Sequence, residues 1–332
     1  MTDTAKSTAD RIRDAAVANH RALTEARGES PADALADGLP RLAWTDAMQE
    51  KAALALRNGA PADAPRDRRG IDDWATSRHE SRFQFERYRF IILSQLAAGY
   101  QNTGEEVYAR AARDYIEEHL NTYSTPPYDD TLNLSIRLCQ HGRQGWIGTL
   151  PHFLGSDAYD DAFVDRVVAA TREQVAYLKE RYPRHGNTRL FGINCTLWCG
   201  LCLPFLPEAE GWRTLGARLF NDAFHREINP DGSNLERDPH YLGMYVQNFS
   251  ESLIWARAFP DLGLRVSVEP VARMWDFAAC SRKPSGHECG LHDGTTDWQG
   301  RAGGTQDGAV DRHGAAPCDI FRRRMAFRRL HG

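Results

Sequence analysis

The stretch Phe83–Tyr100, FQFERYRFIILSQLAAGY, decides the fold. Phe85, Tyr88, Ile92 and Leu96 recur at spacings of three and four, the period that gathers side chains on one helix face. A strand would alternate every second residue. The next run, Glu105–Leu120, EEVYARAARDYIEEHL, repeats the pattern with Tyr108, Ala111, Ala112, Tyr115 and Ile116. Between them NTGEE reads as a turn, with Thr103 as the expected N-cap and Glu106 three residues on as its capping-box partner.

Working outward, the same periodicity predicts helices over 8–26, 44–57, 129–140, 158–182, 188–203, 209–227, 241–258 and 267–281. No alternating run of strand length competes with them. Consecutive helices joined by short links pack as antiparallel hairpins. The fold class expected is therefore all-α, an incomplete (α/α) toroid of helical hairpins occupying residues 1–283. Residues 284–314 hold eight Gly in 31 positions, and the chain ends on the basic run DIFRRRMAFRRLHG. Residues 284–332 are thus expected to be an irregular tail that buries little.

Composition narrows the function classes. The chain has 332 residues, 42% of them hydrophobic, with a net charge of −4. That balance sets up no global field for nucleic acid or an anionic membrane, so neither is expected as a partner. No run is long and apolar enough to span a bilayer. The amphipathic start lacks the apolar core of a signal peptide, and seven Cys without a spacing framework read as reduced thiols. These features predict a cytoplasmic protein.

Cys195, Cys199 and Cys202 recur at i, i+4 and i+7 in a strongly apolar helix with no His or Asp on the stripe, which favours buried thiols over a metal site. His287, Cys289, His292 and Asp293 have metal-ligand residue types, but their spacing on a Gly-rich loop fits no zinc pattern. No metal and no cofactor are expected.

The segment Ile228–Tyr241, INPDGSNLERDPHY, follows one helix, breaks it with Pro230 and Gly232, and lines up Glu236, Asp238, His240 and Tyr241 before another. Four phrases in order carry a resemblance: DDWATSRHESRFQFERYRFIILSQLAAGYQNTGEEVYARAARDYIEEHL, LNLSIRLCQHGRQGW, HGNTRLFGINCTLWCGLCLPFLPEAEGWRTLG and INPDGSNLERDPHYL. Together, over 73–283, they resemble the N-terminal helical domain of the heparinase II/III-like polysaccharide lyases, which include heparin, heparan and alginate lyases. In that family a β-sandwich domain follows the helical toroid. Here fewer than 50 unpatterned residues follow the last helix, and the β domain is expected to be missing.

The resemblance implies β-elimination beside a uronic acid, with an acidic polysaccharide or oligosaccharide as partner. A proton leaves C5 and the C4 glycosidic oxygen departs. The uronate charge must be neutralised for an enolate-like state to form, and a base and an acid must move the protons. By the resemblance Asn187 is the carboxylate neutraliser and Tyr241 the proton donor or, as phenolate, the base. Relatives often carry a His after the Asn, where this chain has Thr188. Arg137 and Glu236 are implied as substrate-side residues, Glu236 as a brace, with His185 and His240 on the polar rim. Asp238 and Pro239 are expected to cap the following helix, and Arg137, Asn187, Glu236 and Tyr241 to line one face. Each also has a plain alternative: Tyr241 packing at a hairpin, Asn187 as an N-cap, Arg137 ion-paired. Two other functions stay open: a helical-toroid glycoside hydrolase, which needs two carboxylates across a cleft, and a non-catalytic acidic-glycan-binding remnant.

Overall fold

The structure, a computed structural model, describes residues 6–29, 38–58, 89–126 and 130–281. The helices there are α1 (Thr8–Arg27), α2 (Asp46–Asn58), α3 (Ile92–Thr103), α4 (Glu106–Thr122), α5 (Thr131–Leu138), α6 (Gly145–Thr149), α7 (Asp161–Lys179), α8 (Asn187–Cys202), α9 (Ala209–Glu227), α10 (Pro239–Ala258) and α11 (Val268–Cys280). Among the described residues there is no strand, only the isolated bridges Gln140–Gln144 and Ile228–Asn234. Phe85 and Tyr88 of the opening stripe lie outside the described residues. Ile92 and Leu96 are fully buried, as the period requires.

Aspartates start three of these helices. Asp130 accepts the N–H groups of Leu132 and Asn133 at α5, and Asp160 accepts that of Phe163 at α7. Asp238 accepts those of His240 and Tyr241 at α10, with Pro239 in the first turn, as expected. Each side chain satisfies donors that have no partner inside the helix. The expected N-cap at Thr103 is a correction. Thr103 is the last residue of α3, and its hydroxyl donates to the Gly99 carbonyl while accepting from the Glu105 N–H. Gly104, in the left-handed region at φ 73°, returns its N–H to the Tyr100 carbonyl and closes the helix. Glycine's tolerance of that conformation decides the boundary one residue after Thr103. The Glu106 carboxylate reaches the Ser156 hydroxyl at 2.5 Å.

The chain divides into two compact units. The first draws on Met1–His20, Ala32–Tyr182 and Phe191–Arg213, the second on Arg21–Pro31, Pro183–Leu190 and Thr214–Gly332. In the first, α3 packs on α2 and α4, and α5 on α6 and α7. Trp146, Trp198, Trp212, Tyr115 and Phe153 are buried there, and the Trp146 indole donates to the Thr171 hydroxyl at 3.0 Å. In the second, α10 packs on α11. Phe249 meets Phe220 and Phe224 edge-on, with centroids 5.2 and 5.1 Å apart, the favourable geometry for ring quadrupoles.

Candidate functional site

The second unit holds five of the six residues singled out from sequence, and the first holds Arg137. The site is built at the N-terminus of α8. Residues 228–238 leave α9 and turn back on themselves: Asn229 N–H bonds to the Ser233 carbonyl at 2.8 Å, and Leu235 N–H bonds to the Glu227 carbonyl at 2.9 Å. This return brings Glu236 beside the end of α9. Arg237, next in the chain, takes the left-handed conformation at φ 55°, which only a few per cent of non-glycine residues adopt.

Two carboxylates then meet two consecutive backbone donors. Glu227 Oε2 accepts the Gly186 N–H at 2.9 Å, and Glu236 Oε2 accepts the Asn187 N–H at 3.0 Å. The Asn187 side-chain amide donates a second bond to Glu236 Oε1 at 3.1 Å. Asn187 is therefore not the cap of its own helix. It is the first helical residue, and carboxylates from a distant segment supply the capping acceptors. Negative charge suits a helix N-terminus, whose free N–H groups carry partial positive charge. Because a carboxylate only accepts, it fixes which end of the amide faces it. Gly186, at φ 93°, makes the close approach feasible: a Cβ there would sit 3.1 Å from Glu236 Oε1.

Glu227 is 2% exposed and gathers two further partners. Arg189 Nη1 pairs with Oε1 at 2.9 Å, and the Tyr245 hydroxyl donates to Oε2 at 2.5 Å. Arg189 also reaches Asp222 at 2.8 Å. Burial, then the charge of Glu227 and its hydrogen bond, push the Tyr245 phenol far above its ordinary range. Sequence reasoning missed Glu227, Arg189 and Tyr245. One signal was available: Tyr245 lies one helical turn beyond Tyr241, and an acid ends the preceding helix.

The remaining candidates fall as follows. Tyr241 is half-buried at the start of α10, with the His240 ring edge-on at 5.3 Å. His185 is exposed, just before the Gly186–Asn187 junction. Arg137, in the first unit, is 1% exposed, with its guanidinium 5.2 Å from the Tyr123 ring centroid. Among the described residues no three His, Cys, Asp or Glu side chains are grouped to hold a metal ion. His287, Cys289, His292 and Asp293 lie outside those residues.

Antiparallel helical hairpins of this kind define an α/α domain. Residues 65–269 match the model of the heparinase II/III N-terminus, and the chain belongs to that family. It is 27% identical to a heparin-sulfate lyase of Pedobacter heparinus over 180 residues, 51% of this chain and 26% of that protein. A heparin-sulfate lyase of Bacteroides stercoris is 22% identical over 198 residues, 54% of this chain and 29% of that one. The chain thus spans between a quarter and a third of the length of these curated relatives. Heparinase III shares the fold with a TM-score of 0.60 at 19% identity, covering 82% of this chain and 44% of that structure. The heparan sulfate lyase structure from Pedobacter heparinus gives a TM-score of 0.53 at 19% identity, over 81% and 44%.

Proposed function

We propose that this chain is a polysaccharide lyase, or the helical half of one, that cleaves beside a uronic acid by β-elimination. The observation that carries the reading is the clamp on Asn187. One amide N–H is committed to Glu236, and the second is left to donate to a uronate oxygen. A donor held in place before the reaction stabilises developing enolate charge without reorganising during it. In this reading Tyr241 protonates the C4 leaving oxygen or, as phenolate, takes the C5 proton. Glu236 braces Asn187, and His240 and His185 contact the substrate at the rim. Arg137, buried in the first unit, is assigned to substrate binding as well. In this reading residues 1–283 carry the helical part of the lyase, and residues 284–332 lie outside those that the structure describes.

The partner in this reading is an acidic polysaccharide or oligosaccharide, with heparan sulfate, alginate and hyaluronan as the polymers to compare. A cytoplasmic location fits the free thiols at Cys139, Cys195, Cys199, Cys202 and Cys280. No helix among the described residues is long and apolar enough to cross a membrane.

The test incubates the chain with oligosaccharides of the three polymers and follows binding, near-ultraviolet absorbance and new reducing ends. Weak binding with slow absorbance growth, abolished in Tyr241→Phe and lowered about 10²–10³-fold in Asn187→Ala, is the expected result. Reducing ends without absorbance identify a hydrolase. Binding with neither product identifies a glycan-binding remnant. Failure to bind any of the three overturns the proposal.

A further inference from the structure

One residue of the second unit is bonded to both arms of the clamp on Asn187. Glu227 ends α9 at 2% exposure, and its two carboxylate oxygens grip α8 on either side of Asn187. Oε2 accepts the Gly186 N–H at 2.9 Å, one residue before Asn187, and Oε1 accepts from Arg189 Nη1 at 2.9 Å, two residues after it. The backbone of Glu227 serves the other arm. Its carbonyl accepts the N–H of Leu235, the residue before Glu236, at 2.9 Å. The bridge between Ile228 and Asn234 closes the same return.

We propose that Glu227 is the positioning residue of the Asn187 donor, setting the place and direction of its amide without touching the substrate. The inference rests on the reading of Asn187 as the group that binds the uronate carboxylate. Glu236 holds the amide, but the meeting point of the two is fixed by Glu227, which is bonded to the residue that precedes each of them. The Gly186 and Asn187 N–H groups belong to successive peptide planes, and a different carboxylate fixes each plane. With both planes set, the Cα–Cβ direction of Asn187 is set as well.

Glu227 is itself held at both oxygens. The Tyr245 hydroxyl donates to Oε2 at 2.5 Å, so the oxygen that takes the Gly186 N–H has a second donor from α10. Arg189 answers the charge at Oε1 and is anchored in turn by Asp222 at 2.8 Å. A buried polar network keeps its geometry when every member is bonded and gives way when one bond is removed. Displacing a catalytic donor by about 1 Å costs on the order of 10²-fold in rate, because it acts through its distance from the developing charge. Glu227→Gln creates such a displacement at constant shape. A glutamine offers one acceptor oxygen, and its amide nitrogen then faces either Arg189 or the Gly186 N–H, donor against donor.

The test compares the parent chain with Glu227→Gln and Tyr245→Phe by magnetic resonance of isotope-labelled asparagine side chains, the Asn187 signal being identified by its loss in Asn187→Asp. In the parent, the Asn187 proton bonded to Glu236 is expected downfield of its geminal partner and slow to exchange with water. Glu227→Gln should bring the two protons together and speed that exchange about 10-fold or more, and Tyr245→Phe should do the same in smaller measure. The Asn102 side chain in the first unit, bonded to the Ala98 carbonyl, should stay in place as the control for folding. In the near-ultraviolet assay Glu227→Gln should lower kcat about 10–10²-fold with KM changed less than about threefold, the pattern of a donor used in the transition state. Asn187 signals at the parent positions in both variants overturn the proposal, as does an unchanged kcat. A parent without turnover overturns the lyase reading instead, and the side-chain spectra then decide the positioning of Asn187 by themselves. Should Glu227→Gln fail to fold, Tyr245→Phe decides the question, because it leaves the carboxylate in place.

Discussion

Glu236 holds Asn187 at two points, accepting its backbone N–H at 3.0 Å and its side-chain amide at 3.1 Å, across 49 positions of sequence. The carboxylate thereby satisfies one of the free N–H groups at the start of α8 and sets the direction of the amide with one group.

Glu236→Ala should remove both bonds and leave the α8 N-terminus short of an acceptor. Hydrogen bonds to charged groups contribute about 1.5–3 kcal/mol each where well buried, and this site is partly open, so a loss of about 1–3 kcal/mol is expected. Urea unfolding of the two proteins measures it. Unchanged stability would mean that the carboxylate does not hold Asn187 in solution.

Gly186→Ala places a methyl group 3.1 Å from Glu236 Oε1 at a backbone φ of 93°. Strain of this kind costs about 1–3 kcal/mol. Because the methyl group and the carboxylate compete for one space, the double variant Gly186→Ala/Glu236→Ala should be less destabilised than the sum of the single changes. Strict additivity in thermal unfolding would count against the close approach.

Tyr245 donates to buried Glu227, and burial, with the Glu227 charge next, raises its phenol far above the ordinary range. The folded state therefore keeps this proton after the unfolded chain begins to release it near pH ~10. Its stabilising contribution is full below that pH and is lost as pH rises further. Tyr245→Phe should cost about 1.5–3 kcal/mol at neutral pH and flatten part of the alkaline fall in stability. Buried Tyr159, also raised well above the ordinary range by burial, contributes to the remaining slope.

His119 behaves in the opposite sense on the acid side. Burial, then the Arg137 charge, push its imidazole well below the ordinary range, with the nearby Gln174 side chain offsetting part. Below pH ~6.5 the unfolded chain binds a proton that the folded state refuses, so stability falls as pH drops through that value, at up to about 1.4 kcal/mol per unit. Denaturant midpoints between pH 7 and 5 should show that slope, and His119→Asn should reduce it. A slope identical in both proteins would place another group at its origin.

The helices were legible because their signals are local. A stripe such as Ile92–Leu96 needs only a period of 3.6 and an apolar partner, and Asp130, Asp160 and Asp238 cap the residues that immediately follow them. Thr103 ends a helix and starts none because Gly104, the next residue, offers a left-handed stop that outranks the capping box. Glu227, Arg189 and Tyr245 gave little signal because an acid near a helix end usually faces water. Their role comes from partners 18 to 41 positions away.

By itself, then, the sequence determined an all-α chain of hairpins and the order of its family motifs. Periodicity, capping and motif order are properties of neighbours along the chain. Only the tertiary structure decided that Glu236 takes hold of Asn187 while Glu227 takes Gly186 and Tyr245. Such pairings depend on how loops return and helices pack. A carboxylate or a thiol looks the same in sequence whether it ends in water or against its partner.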